Sequence, residues 1–159
     1  MNKALFLDRD GVIIKDIPYN VDKTKIQFNN QILNVIKYYQ KNNYKIIIIT
    51  NQSGIGRGLF TEEEYLNFSK FIEKELQKVK IKIDKIYYCK HKPEDDCICR
   101  KPKSYLFEKA IKEFNIDVSK SIMIGDKETD RIPAENVNIN KIKIIKDNND
   151  KIIYISENI

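Results

Sequence analysis

Two short acidic turns stand out as residues with chemistry to offer. Asp8-Arg9-Asp10-Gly11 follows a compact apolar run, and Gly125-Asp126-Lys127-Glu128-Thr129-Asp130 follows another. Alternate residues of an extended segment point the same way, so Asp8 and Asp10 can converge on one place. Gly11 lets the chain turn at once, because glycine tolerates positive φ. Carboxylates gathered together repel one another unless a cation holds them. A hard-oxygen set of this kind suits Mg²⁺, which keeps waters that a phosphate can replace. One Asp-x-Asp-Gly alone is equally an ordinary turn or helix cap. The second acidic turn, placed after a second strand, weighs against that plainer reading.

Between them lies Thr50-Asn51-Gln52-Ser53-Gly54, extended by Ile55-Gly56-Arg57-Gly58. A hydroxyl, an amide and a run of backbone N–H groups after a strand make an anion cradle. A glycine loop alone would be a flexible connector; its place at a strand end gives it meaning. Arg100-Lys101-Pro102 adds two cations. In a lysine-rich chain such a pair can be simply a solvated surface. The chain has only four arginines, however, and Arg9, Arg57 and Arg100 all fall in these polar loops. The guanidinium fork binds phosphate in a bidentate way that lysine cannot imitate. These three arginines are candidates for function or for ordering the loops.

Cys89, His91, Cys97 and Cys99 are every cysteine and the only histidine of the chain, within eleven residues. Three thiolates and one imidazole form a closed tetrahedral set for structural Zn²⁺, with no open position for catalysis. Buried free cysteines beside a surface histidine would be the alternative, and the polar surroundings fit it poorly. A metal here would tie down a loop leading into Arg100 and Lys101.

The elements that must position these groups are legible as apolar runs. Residues 3–7, 46–49, 86–88, 121–124 and 142–145 read as buried strands, continuous rather than alternating. Helical spacing appears over residues 30–41 through Ile32, Leu33, Ile36 and Tyr39. A Thr61–Glu64 capping box opens a second helix carrying Tyr65, Phe68, Ile72, Leu76 and Val79. A third follows Ser104, with Leu106, Phe107, Ala110, Ile111 and Phe114, and a short fourth starts near Thr129. The expected fold is therefore α/β: a parallel Rossmann-like sheet between helical layers. In such sheets ligands bind at the carboxyl ends of the strands, where Asp8, Thr50-Asn51 and Asp126 stand. The tail, residues 146–159, is a candidate edge strand.

Length and composition set the outer bounds. The chain has 159 residues, 42% hydrophobic and 33% charged, which favours one domain over residues 1–159 with a real core. Three cysteines make no paired disulfide framework, and the apolar start meets Asp8 too early for a secretory signal. No apolar run approaches the ~20 residues of a membrane helix. The expectation is a cytoplasmic monomer without membrane partners. The +6 net charge raises the thought of a zinc-stabilised nucleic-acid-binding module. Basic and aromatic residues are not interleaved on any stretch, and such binding needs no paired acidic turns, so no nucleic-acid partner is expected.

Together these motifs resemble the haloacid dehalogenase (HAD) superfamily of phosphatases, over nearly the whole chain. Asp8-Arg9-Asp10-Gly11-Val12-Ile13 looks like its first motif, Thr50-Asn51 the second, Lys101 the third, and Gly125-Asp126 with Asp130 the fourth. The 50–58 loop and the Cys-His-Cys-Cys segment are similar, more narrowly, to the heptose-bisphosphate 7-phosphatase and histidinol-phosphatase family. The resemblance implies a three-layer α/β/α sandwich with no large cap domain and a small zinc loop. It implies Asp8 as nucleophile, Asp10 as general acid and base, and Thr50 and Lys101 on the transferring phosphoryl group. Mg²⁺ would be held by Asp8, the carbonyl of Asp10 and Asp126, with Asp130 in support. Asp16, Tyr19, Asn51, Gln52, Ser53, Arg57, Arg100 and Lys127 would serve a small phosphorylated sugar, Arg100 at its second phosphate. Ile14 stands where relatives commonly have Asn, Lys103-Ser104 replaces a frequent Pro-Gly, and the zinc loop is short. With Ala134-Glu135-Asn136 these features leave histidinol phosphate open as an alternative substrate, while Ser53 and Arg57 favour the heptose side.

Overall fold

The computed structural model describes residues 1–148 and 151–155, with side chains through residue 145. Its elements run β1 (Lys3–Leu7), α1 (Asn30–Lys41), β2 (Tyr44–Asn51), α2 (Ser53–Gly56), α3 (Glu62–Lys78), β3 (Lys85–Cys89), α4 (Tyr105–Phe114), β4 (Ile122–Gly125), α5 (Glu128–Asn136), β5 (Lys141–Asn148) and β6 (Lys151–Ile155). The strands form one sheet in the order β3-β2-β1-β4-β5-β6. The first five are parallel; β6 pairs antiparallel with β5. The tail thus supplies an edge strand over residues 151–155.

The apolar runs are continuous because both sheet faces are covered. Leu5, Leu7, Ile46 and Ile48 point to one side and pack with Ile32 and Ile36 of α1 and Phe68, Ile72 and Leu76 of α3. Ala4, Phe6, Ile47 and Ile49 point to the other, against Leu106, Phe107 and Ala110 of α4 and Ala134 of α5. Each such buried aliphatic side chain contributes about 1.5–3 kcal/mol of transfer free energy. Three layers, α/β/α, follow directly.

Local signals set the helix starts. The Thr61 hydroxyl accepts from the Glu64 amide at 3.1 Å, and the Glu64 carboxylate accepts from the Thr61 amide at 2.7 Å. Asn29 caps α1 through the Ile32 amide. The glycine loop expected after β2 contains one further turn of helix, α2.

The chain order reverses at the middle of the sheet: β2 and β3 lie to one side of β1, β4 and β5 to the other. That switch point is where a doubly wound sheet opens a crevice at its carboxyl edge. Asp8 and Asp126 follow the two strands that flank it. Among the described residues no inserted domain covers this edge, and no helix is long and apolar enough to cross a membrane.

Candidate active site

The two acidic turns meet across β1 and β4. The Asp8 amide donates to the Ile124 carbonyl at 3.1 Å, continuing the ladder past the end of β1. Two glycines make the approach possible. A Cβ on Gly11, whose φ is +80°, would lie 2.2 Å from a carboxylate oxygen of Asp126. One on Gly125 would lie 2.3 Å from the Cβ of Asp130. Asp130 is then fixed from below, its Oδ2 accepting from the amides of Asp126 and Lys127.

The outcome is a set of carboxylates from Asp8, Asp126 and Asp130 whose oxygens lie within 4.8 Å of one another. Burial pushes Asp8 up to about 7, with Asp130 and Asp10 adding to the rise and Lys101 opposing it. Burial, then Asp8 and Asp130, pushes Asp126 to about 7 as well. Asp126 Oδ1 is buried with no hydrogen-bond partner. An orphaned carboxylate oxygen beside two further acids fits a hard divalent cation, which would supply the missing partner.

Lys101 reaches this cluster from the loop before α4. Its side chain is 2% exposed, and Nζ sits 2.5 Å from Asp130, 3.3 Å from Asp8 and 2.7 Å from the Ile49 carbonyl. Burial alone would push its pKa down, but Asp8 and Asp130 more than offset that, so the ammonium form is favoured. Asn51 places Lys101: its amide donates to the Lys101 carbonyl at 3.1 Å and accepts from the Lys101 amide at 3.0 Å. Asn51 is thus engaged with the backbone of the third motif while still lining the site.

Above the carboxylates opens a cavity of about 410 Å³, a size suited to a small molecule. Asp8, Asp10, Thr50, Asn51, Gln52, Ser53, Arg100 and Lys101 line it, with the more exposed Asp16, Tyr19 and Lys127 at its mouth. Lys127 faces Asp16 across that mouth at 3.7 Å. Arg57 is not among the lining residues: its Nε donates to Ser53 Oγ at 3.3 Å. It therefore reaches the cavity only through Ser53. The wall also includes Ile17, Pro18, Asn20 and Thr129, which carry no chemical signature in the sequence.

The Cys/His segment forms a second cluster beside β3. Cys89 Sγ lies 3.6 Å from His91 Nδ1 and from Cys97 Sγ, and 2.9 Å from Cys99 Sγ; Cys99 Sγ lies 3.3 Å from His91 Nδ1. Ligands on a tetrahedral ion with 2.3 Å metal–sulfur bonds stand about 3.8 Å apart, so the four atoms fit around one metal ion. This segment also carries the anion loop. The Gln52 amide donates to the Cys89 carbonyl at 2.7 Å, the Gly56 amide to the Lys90 carbonyl at 2.9 Å, and Arg100 to the His91 carbonyl at 3.4 Å.

Comparison with known proteins agrees with this geometry. The family model described as polynucleotide kinase 3 phosphatase matches residues 3–156. A D-glycero-beta-D-manno-heptose-1,7-bisphosphate 7-phosphatase from Helicobacter pylori is 40% identical over 148 residues, covering 92% of this chain and 85% of the relative. The chain belongs to the heptose-bisphosphate phosphatase family of the HAD superfamily. A second member of the family, the D-glycero-alpha-D-manno-heptose-1,7-bisphosphate 7-phosphatase of Campylobacter jejuni, is 41% identical over 145 residues, 91% of this chain and 83% of its own. Among solved structures, the D,D-heptose 1,7-bisphosphate phosphatase of B. bronchiseptica, complexed with magnesium and phosphate, superposes with a TM-score of 0.78. It is 27% identical and covers 84% of this chain and 75% of that one. The HAD phosphatase fold without a large cap accounts for the open cavity mouth.

Proposed function

We propose that the chain is a Mg²⁺-dependent phosphatase that removes the 7-phosphate of a D-glycero-D-manno-heptose 1,7-bisphosphate, in the supply of nucleotide-activated heptose. The observation that carries this reading is the carboxylate set of Asp8, Asp126 and Asp130 with buried Lys101, of which Asp8 and Lys101 line an open polar cavity. Relatives named for this reaction at 40–41% identity supply the substrate.

Asp8, Asp126 and the backbone carbonyl of Asp10 would hold the magnesium, with Asp130 behind them. When bound, the ion neutralises charge on the phosphoryl oxygens and keeps Asp8 ionised. Asp8 attacks phosphorus as Asp10 gives its proton to the departing sugar oxygen, leaving an aspartyl-phosphate and the free hydroxyl. Asp10, now a carboxylate, takes a proton from water as that water attacks phosphorus. Inorganic phosphate leaves and Asp8 is regenerated. Lys101 and the Thr50 hydroxyl hold the phosphoryl oxygens, and charge stabilisation of this kind is most of what phosphoryl transfer requires. Ser53, Arg100 and Lys127 stand where a second phosphate can reach them, with Arg57 supporting Ser53.

Release of phosphate from both heptose bisphosphate anomers, histidinol phosphate, a nucleotide 3′-phosphate and simple sugar phosphates tests the assignment. Heptose bisphosphate is expected to give the highest kcat/KM. Preference for histidinol phosphate or a polynucleotide end would replace the substrate and keep the chemistry.

Magnesium binding has a pH signature. In the cation-free protein, Asp8 and Asp126 titrate near 7, above the usual carboxylate range. Their charging then opposes folding, fully above about pH 7 and not at all below about pH 4. A cation removes that opposition but competes with protons below about pH 7. The thermal midpoint is therefore expected to rise more on adding Mg²⁺ at about pH 8 than at about pH 5.5. Equal shifts at both pH values would contradict the assignment of these acids as ligands.

We further read the Cys89–His91–Cys97–Cys99 cluster as a structural zinc site, since all four positions are filled by protein. Loss of a metal is among the few changes costing several kcal/mol. Cys99→Ser is expected to empty the site by elemental analysis and lower the thermal midpoint by roughly 6–12 °C, the shift that about 3 kcal/mol gives a domain of this size. KM should rise more than kcat falls, because the loop holds Arg100 and α2 rather than Asp8.

A further inference from the structure

Arg9 stands between the two motif carboxylates in the sequence, yet the mechanism above gives it no task. Its side chain is almost fully buried, at 4% exposure. Its backbone carbonyl is fixed by the amides of Val12, Ile13 and Ile14. The guanidinium lies beneath α3, 5.6 Å from the ring centre of Tyr65 and 5.3 Å from that of Phe68, both buried rings. From there Nε and one terminal nitrogen each donate to a different oxygen of Asp10, both at 3.1 Å. The other terminal nitrogen is buried without a hydrogen-bond partner. Gln52 Nε2 adds a second donor to Asp10 Oδ2 at 3.0 Å and donates to Thr50 Oγ1 at 3.0 Å.

This arrangement is costly unless it serves something. An arginine taken out of water loses hydration that two ring faces and one carboxylate replace only in part. A guanidinium placed merely to neutralise the acidic floor would reach Asp8, Asp126 or Asp130, and that task falls to Lys101. Arg9 instead grips Asp10 alone, in the planar two-point geometry that fixes a carboxylate's orientation as well as its position. Arg9 is itself gripped by Tyr65 and Phe68 of α3, distant in sequence, so the aim of Asp10 is referred to the packed core rather than to its own turn.

We propose that Arg9 is a positioning residue: its fork, held by Tyr65 and Phe68, sets the orientation from which Asp10 serves the leaving oxygen. The inference rests on the phosphatase reading and on Asp10 as its general acid. Misaim of a proton donor slows departure of an alkoxide and hardly matters to a leaving group that is a stable anion. The readout is therefore kcat/KM for heptose bisphosphate beside kcat/KM for p-nitrophenyl phosphate, both with Mg²⁺. Arg9→Met keeps the length of the side chain and suits an aromatic pocket. It is expected to lower the sugar value by about 10²-fold and the nitrophenyl value by less than about 5-fold. Arg9→Lys keeps the charge without the fork, and Phe68→Leu removes one ring from the guanidinium. Both should shift the ratio in the same direction by about 5–10-fold, and they carry the test if Arg9→Met does not fold. Equal losses on the two substrates in folded variants, or no loss on either, would overturn the proposal while wild-type turnover leaves the phosphatase reading standing. A wild-type protein inactive on both esters would remove that reading and this inference with it.

Discussion

Asp8→Asn is expected to abolish phosphate release while leaving the fold intact. The amide occupies nearly the same volume, but its neutral oxygen is a far weaker nucleophile than a carboxylate, so no aspartyl-phosphate forms at a useful rate. Turnover should fall by at least about 10⁴-fold, the scale on which loss of a covalent nucleophile is felt. The structure explains why folding should survive. Asp8 carries a carboxylate that burial pushes to about 7, facing Asp130 and Asp10. A neutral amide removes that repulsion. Against this, Lys101 loses its contact at 3.3 Å but keeps Asp130 at 2.5 Å and the Ile49 carbonyl. The measurement is phosphate release per enzyme with Mg²⁺, beside a thermal melt. Undiminished turnover in a folded Asp8→Asn protein would end the proposed mechanism.

Lys101→Met should strike stability and activity together. Its ammonium is the cation among the described residues that reaches Asp8 and Asp130 at once. Removing one partner of a buried ion pair costs about 3–5 kcal/mol, because the other charge is left uncompensated. For a domain of this size that is a fall of roughly 6–20 °C in the thermal midpoint. The sign of the pH dependence follows. Without Lys101 the carboxylates relax by taking up protons, so the deficit should shrink from about pH 8 to about pH 5.5. Mg²⁺ should restore part of the midpoint, since a second cation enters the same cluster. It should not restore turnover, which is expected to remain about 10²–10³-fold down for want of a donor on the phosphoryl oxygens. A Lys101→Met protein as stable as wild type at about pH 8 without Mg²⁺ would refute the ion-pair account.

The two substitutions separate what one site holds in common. On the proposed mechanism Asp8 would contribute bond-making with little stability, and Lys101 charge balance to stability and turnover alike. Arg9 would differ from either, affecting one proton transfer and therefore one class of leaving group.

Much of this molecule can be read in the order of its residues. The five parallel strands, the capping box at Thr61, the acidic turns after β1 and β4 and the four Cys and His residues that could hold a metal ion are all local features. A buried strand needs a continuous apolar run, a tetrahedral ion needs four donors, and a helix start needs a side-chain acceptor, each within a few residues. The edge strand over residues 151–155 lay within reach of the same reasoning. The motifs lead one to expect Asp8, Asp126, Asp130 and Lys101 together; the tertiary structure decided how they meet and which partners hold them. The strand order brings Asp8 beside Asp126, and the loop before α4 drops Lys101 onto Asp130. Asn51 lines the cavity while holding the Lys101 backbone, and Arg9 is tucked beneath α3. Residues some 30 to 120 positions apart carry no local signal of their partners, because their contacts are set by how whole helices pack on the sheet. Chemical identity was therefore written along the chain, and chemical aim was set by the core.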